Sequence, residues 1–235
     1  MSTVFVISTP LVDQFRQDLV NGVYNPRERL VEAELATRYR VNRSAMRAAL
    51  LELTFEGLVE REPNRGARVR ALEIEDGIEI AQVRRELESL CARLAAERGN
   101  DEEREELRQI AARIREAFEA NDTSRYLIEH AAFHGLIHRM ARHRVARDIL
   151  TRLGNLNFNL HFPMALSAPL PSASVAEHER IADAIIRGDG NEAAAAMVAH
   201  LDALIEALQA RRAATAAPGQ PAPAGATAHS LMAVT

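Results

Sequence analysis

Apolar residues recur at helical spacing along most of this chain, with one short interruption where strand-like runs flank a turn. Pro10 can open a helix that runs to about Val20, with Leu11, Phe15 and Leu19 on one face and Gly22 closing it. Val31 to Arg38 predicts a shorter helix with Val31, Leu35 and Ala36 apolar, and Tyr39-Arg40-Val41 has the length of a tight helix-helix turn. From Asn42 to Glu56 the signals are complete: Asn42 can cap, Gly57 can terminate, and Met46, Ala49, Leu50 and Leu53 share a face. Leu58 to Arg61 and Ala67 to Arg70 can then pair as strands around Glu62-Pro63-Asn64-Arg65-Gly66, a turn by composition. The series predicts a helix-turn-helix followed by a two-stranded wing.

From Asp76 onward only helices are predicted. They span Asp76 to Arg98, Asp101 (as cap) to about Ala120, Thr123 to Ala141, His143 to Phe162, Val175 to Arg187 and Asn191 to Arg212. The first carries Ile80, Val83, Leu87, Leu90, Cys91 and Leu94 on one side, and Pro163, Pro169 and Pro171 enforce a loop after the fourth. Short connections make an antiparallel bundle the economical packing. The expected fold is therefore mostly α: a winged helix-turn-helix with a small β hairpin over residues 10–70, a linker over 71–75, and an all-α bundle of about six helices over 76–212. Met1 to Thr9 reads as a loose arm, and residues 213–235, rich in alanine and proline, as a disordered tail.

Charge changes this picture locally. The chain of 235 residues carries a formal charge of −4, which excludes a general nucleic-acid coat. Yet Arg38 to Arg70 holds eight arginines against four glutamates, a surplus of +4 suited to a polyanion. The chain has no lysine, so its basic side chains are arginine, the better bidentate partner for phosphate and guanine. Arg43 and Arg47 lie one turn apart near the end of the third predicted helix that such motifs point into a major groove, with Ser44 between them. A solvated arginine face explains that helix alone equally well; the ordered series of elements around it favours DNA. Cys91 is the only cysteine, which excludes an internal disulfide, and it sits on an apolar stripe as a buried thiol. No signal peptide or membrane span is expected, and a cytoplasmic location follows.

His130 and His134 are four apart on one predicted helix, and His178 and His200 lie on two others. Facing helices of a bundle commonly supply metal ligands in this way, although ordinary hydrogen-bonded histidines fit the same spacing. His138 continues the spacing but is left out of the expected set. Arg84 or Arg85 can make an interhelical salt bridge.

Gly22-Val23-Tyr24-Asn25-Pro26, LVEAELA, NRSAMRAAL, EGLVER and PNRGARV together resemble the winged-helix DNA-binding domain of the GntR family of bacterial transcriptional regulators. VRRELESLCARLAAERG, Phe133-His134 and EHERIADAIIRGDGNEAAAAMVAHL resemble the FCD effector domain of its FadR-type branch. The resemblance implies DNA contacts from Arg43 and Arg47, and from Arg65 and Gly66 of the wing; Arg38, Asn42 and Ser44 complete the expected set. It also implies a homodimer on an operator with inverted half-sites, with repression the commoner mode. A divalent metal on His134, His178 and His200 is implied too, with Arg84 near a small organic acid. Two departures stand out. Arg27 occupies the place of a glycine after Pro26, and His130 that of an aspartate or asparagine ligand, a change that favours zinc or nickel over magnesium or calcium.

The expected function is a sequence-specific DNA-binding regulator controlled by a carboxylate-bearing metabolite. The alternatives are a regulator with a metal-free dimerisation bundle, and a histidine-ligated metalloenzyme. The enzyme reading lacks support, because His130-Ala131-Ala132-Phe133-His134 has no glutamate where H-E-x-x-H hydrolases carry their base.

Overall fold

The computed structural model describes residues 9–62, 66–154 and 172–216. The predicted arm before Thr9, Arg65 and its turn, the proline loop and the predicted tail beyond Ala216 lie outside the described residues.

The N-terminal elements are α1 (Thr9–Val20), β1 (Arg29–Leu30), α2 (Glu32–Arg38), α3 (Arg43–Phe55), β2 (Val59–Glu62) and β3 (Gly66–Val69). Asn42 caps α3 by accepting from the Ala45 amide at 2.8 Å, a contribution of about 1 kcal/mol. At the other end Gly57 turns the chain at φ +79°, a conformation in which glycine meets no Cβ clash, and the Leu58 amide returns to the Leu53 carbonyl at 3.0 Å. Met46, Ala49, Leu50 and Leu53 are fully buried against Phe15, Leu19 and Leu58. Each larger side chain among them stabilises the head by about 1.5–3 kcal/mol.

The hairpin is part of a three-stranded antiparallel sheet in the order β1-β3-β2. Arg29 pairs with Arg68 and Leu30 with Ala67, so the wing is tied back to the segment before α2. The sequence reading lacked β1, which has only two residues and a partner far along the chain. Arg27 stands at φ +67°, the left-handed region where the resemblance expects glycine. Its amide donates to the Val69 carbonyl at 3.0 Å and its guanidinium to Glu73 at 2.6 Å, so two bonds hold a conformation that costs a side-chain-bearing residue about 1–2 kcal/mol.

The bundle comprises α4 (Ile74–Arg98), α5 (Asp101–Glu119), α6 (Thr123–Met140), α7 (144–154), α8 (Ser172–Ile186) and α9 (Gly190–Ala216). The helix start moves from Asp76 to Ile74, inside the expected linker, because Glu73 and Asp76 form a reciprocal capping box. Asn100, rather than Asp101, caps α5 through the Glu103 amide at 2.8 Å. His143 caps α7 through the Ala146 amide at 3.1 Å.

Val83 is 49% exposed, whereas Ile78, Ala81, Glu88, Cys91, Ala92 and Ala95 face inward. Of the expected stripe Cys91 and Leu94 are buried and Leu87 and Leu90 pack against the core, so Val83 is the exception, and Ala81, Ala92 and Ala95 complete the packed face. α9 continues past Arg212 to Ala216. One 18-residue window within Gly190–Thr215 reaches a mean hydropathy of 1.3, so by length and composition alone this helix is apolar enough to span a membrane, a test that core helices of bundles also meet. In the fold its alanine-rich face buries Ala193, Ala196, Met197, Leu201 and Leu208 among bundle neighbours.

Candidate functional site

The exposed N-terminal end of α3 presents Arg43, Ser44 and Arg47. Arg43 makes no hydrogen bond or ion pair among the described residues. Arg47 is 64% exposed and is held by Glu32 of α2, with Nε 3.2 and 3.1 Å from the two carboxylate oxygens and Nη2 2.9 Å from one. Arg61 of β2 lies 3.8 Å from the same carboxylate. Glu32 therefore joins α2, the recognition helix and the wing on the exposed side. Arg47 beside it holds the Glu32 carboxyl below its usual range, against the opposing effect of burial.

The remaining predicted DNA contacts divide. Arg38 stacks over the Tyr24 ring at 5.0 Å, and Tyr24 meets Tyr39, which donates to Asp18 at 2.6 Å. Asn42 spends its side-chain oxygen on the cap. Gly66 is exposed at φ +86°, so a side chain there is strained although the space around it is open. Two of the glutamates that dilute the local charge have partners among the described residues: Glu56 accepts from Arg16 at 2.6 Å and Glu60 from Arg68 at 3.0 Å.

Inside the bundle α6, α8 and α9 bring His130, His134, His178 and His200 together, with one ring nitrogen from each lying within 4.8 Å of the others. Four nitrogens around one transition-metal ion at about 2.0–2.1 Å would lie no more than about 4.2 Å apart, so small side-chain movements complete a site. The outer nitrogens agree with this. His134 Nδ1 is 2.6 Å from Glu88 Oε2, His178 Nδ1 2.5 Å from the Ser174 carbonyl, and His200 Nδ1 2.8 Å from Glu177 Oε2. Carbonyls and carboxylates only accept, so each Nδ1 carries the proton and each Nε2 offers a lone pair. The Nε2 atoms of His134 and His178 are buried without any hydrogen-bond partner, a costly state that a metal ion relieves. Burial holds His130 and His178 well below, and His134 below, the usual histidine value, with neighbouring imidazoles adding to it and Glu88 opposing it at His134. The neutral, ligating form is therefore favoured.

A second grouping, Glu88 with His134 and His138, is equally compact. Its chemistry differs. Glu88 is 1% exposed and its Oε1 accepts from Arg84 Nε at 2.7 Å and Nη2 at 2.6 Å, while His138 Nε2 stays 3.8 Å away. Burial alone would raise the Glu88 carboxyl; Arg84 and His134 outweigh it and hold the group well below its usual range. This carboxylate is an acceptor already shared between a guanidinium and an imidazole. Arg84, expected near an effector, uses two of its three nitrogens within its own helix, and the interhelical pair belongs to Arg85, whose Nε is 2.7 Å from Asp202. Glu88, Ser174 and Glu177 were absent from the sequence-based set. The i, i+4 spacing of Glu88 from Arg84 was visible, but its role depends on His134, which only the fold brings to it.

Comparison with known proteins matches residues 8–69 to the model described as bacterial regulatory proteins, gntR family, and residues 79–203 to the FCD domain. The HTH-type transcriptional repressor RspR of Escherichia coli is 25% identical over 194 residues, covering 83% of this chain and 85% of the relative. A probable D-xylose utilization operon transcriptional repressor of Paenarthrobacter nicotinovorans is 29% identical over 178 residues, covering 75% and 77%. The solved structure of E. coli McbR/YncC shares the fold at TM-score 0.74 and 18% identity, over 90% of this chain and 100% of that one. The two matched domains lie side by side along the chain in the order of the fold described above, and the chain belongs to the GntR family of DNA-binding transcriptional regulators, with an FCD domain.

Proposed function

We propose that this regulator, acting as a homodimer on inverted half-sites, holds a divalent transition metal on His130, His134, His178 and His200 and is controlled by a small organic acid. Zinc and nickel suit the all-imidazole donor set best. The observation that carries the reading is the orientation of three imidazoles by Glu88, Ser174 and Glu177, which leaves their Nε2 atoms converging with His130. When bound, the metal supplies a Lewis-acidic point for a carboxylate. Arg84, with Nη1 unused among the described residues, supports recognition of a second anionic group at the same wall of the bundle.

On the DNA side, Arg43, Ser44 and Arg47 read bases from α3, while Arg38, Asn42, Arg65 and Gly66 position the head on the backbone and minor groove. The effector acts only as far as it binds one arrangement of the paired heads better than the other. The test is metal analysis of the purified protein and of His134→Ala, followed by calorimetry with candidate organic acids with and without chelator. One metal per chain in the wild type, its loss in the variant, and chelator-sensitive acid binding are expected. Equal, negligible metal in both proteins removes the metal, and acid binding indifferent to chelator removes its role in recognition.

A further inference from the structure

We infer that Glu88 and Glu177, neither of them a ligand, set the metal affinity of the histidine cluster by supplying from outside the negative charge that four neutral imidazoles lack. The inference rests on the metal reading above and deepens it.

The four ring systems are not equivalent in their outer contacts. His134 and His200 lie nearly parallel, with centroids 5.5 Å apart, and each presents Nδ1 to a carboxylate, Glu88 at 2.6 Å and Glu177 at 2.8 Å. His178 presents Nδ1 to a neutral carbonyl at 2.5 Å, and no hydrogen bond to His130 occurs among the described residues. A carboxylate behind an imidazole raises the basicity of the far nitrogen and fixes the ring; a carbonyl does so less, since it carries no full charge. The cluster thus has two strengthened donors, one intermediate donor and one unassisted donor.

The carboxylates come from different places. Glu88 is on α4, which contributes none of the four histidines, and Glu177 is on α8 but serves His200 of α9. A divalent ion with four neutral imidazoles keeps both of its charges. Glu88 and Glu177 offset two, Arg84 beside Glu88 returns one, and the assembly is left with one net positive charge. That remainder still attracts a carboxylate, so the outer groups that retain the ion do not extinguish its pull on an organic acid.

The experiment compares zinc affinity, by competition with a chelating dye, in the full-length wild type, Glu177→Gln, Glu88→Gln and Glu179→Gln, together with the visible spectrum of each cobalt(II) form. Glu177 is only partly buried and its glutamine variant retains the shape of the side chain, so it folds even if the variant of the deeply buried Glu88 does not. Glu179 is the control, because it pairs with Arg115 on the bundle surface. Glu177→Gln and folded Glu88→Gln each weaken zinc by about 10- to 100-fold and alter the cobalt spectrum. Glu179→Gln matches the wild type. The melting temperature of metal-free Glu177→Gln is unchanged, which separates positioning of a ligand from general support of the bundle. Wild-type zinc affinity and cobalt spectrum in Glu177→Gln overturn the inference while leaving the metal reading intact. If the wild type itself takes up neither zinc nor cobalt, both fall.

Discussion

Glu32 of α2 holds Arg47 of α3 through contacts of 2.9, 3.1 and 3.2 Å, so the guanidinium proposed to read DNA is already occupied by an acid of the same head. The pair is exposed on the Arg47 side, so solvent screening leaves it little weight in folding. Its effect lies in binding. Glu32→Ala frees Arg47, relieves Arg61 at 3.8 Å and removes a negative charge facing the duplex. Affinity for random duplex should rise by about 3- to 10-fold with a steeper salt dependence, while the ratio of operator to random affinity falls. Fluorescence anisotropy on both duplexes at several salt concentrations checks this; an unchanged ratio shows that Glu32 does not orient Arg47.

Arg43 and Arg47 should respond differently to truncation. Each alanine variant is expected to weaken operator binding by about 1–3 kcal/mol. Arg43 has no partner to leave among the described residues, whereas Arg47 must break from Glu32 before it reaches a base, so Arg43→Ala carries the larger loss. Titration of both variants on a selected operator decides the order, and wild-type affinity in both refutes the assigned face.

His130→Asp places a carboxylate in the cluster and should widen metal choice. Manganese, which prefers oxygen donors, then competes with zinc far better than it does in the wild type. Metal analysis after growth and dialysis in defined mixtures measures the shift. Identical zinc-to-manganese ratios in the two proteins would show that position 130 does not touch the ion.

The lone thiol predicts an alkaline limit. Burial, with Glu88 as a lesser cause, pushes Cys91 up to about 11 from an ordinary value of 9.0. Between those values the unfolded chain has lost a proton that the folded chain keeps, so stability falls as pH rises through 9 to 11 and is unaffected by Cys91 below 9. The loss is about 1–3 kcal/mol. Urea denaturation at pH 8, 9.5 and 10.5 should show it in the wild type and show it diminished in Cys91→Ala. At pH 8 the folded protein should resist thiol-modifying reagents that label the denatured chain at once.

Local patterns were legible wherever the determinant was local. Asn42 and Gly57 bracket α3 because a cap and a stop act within four residues, and Met46 to Leu53 declare their face by spacing alone. β1 was not legible, since Leu30 pairs with Ala67 only after the wing has folded back. Val83 misled because bulk was taken as a mark of burial, whereas Ala81, Ala92 and Ala95 share the packed face of α4 with Cys91 and Leu94. The four histidines could be assembled from helix register and resemblance. Glu88 could not, because a charged residue on a buried face makes sense only with Arg84 and His134 beside it. Glu177 was not legible either, because its partner is not its sequence neighbour His178 but His200, which only the packing of α9 brings across to it.

Arg27 and Arg70 of the head grip Glu73 at 2.6 Å and Asp76 at 3.1 Å, the two acids that start α4. Glu88 sits on the same unbroken helix about 18 Å farther on, at 1.5 Å of rise per residue. A rod pinned at its start by paired arginines and meeting the histidine cluster midway along is one continuous lever, so head and cluster are joined by an unbroken run of helix and not by a relay of separate contacts.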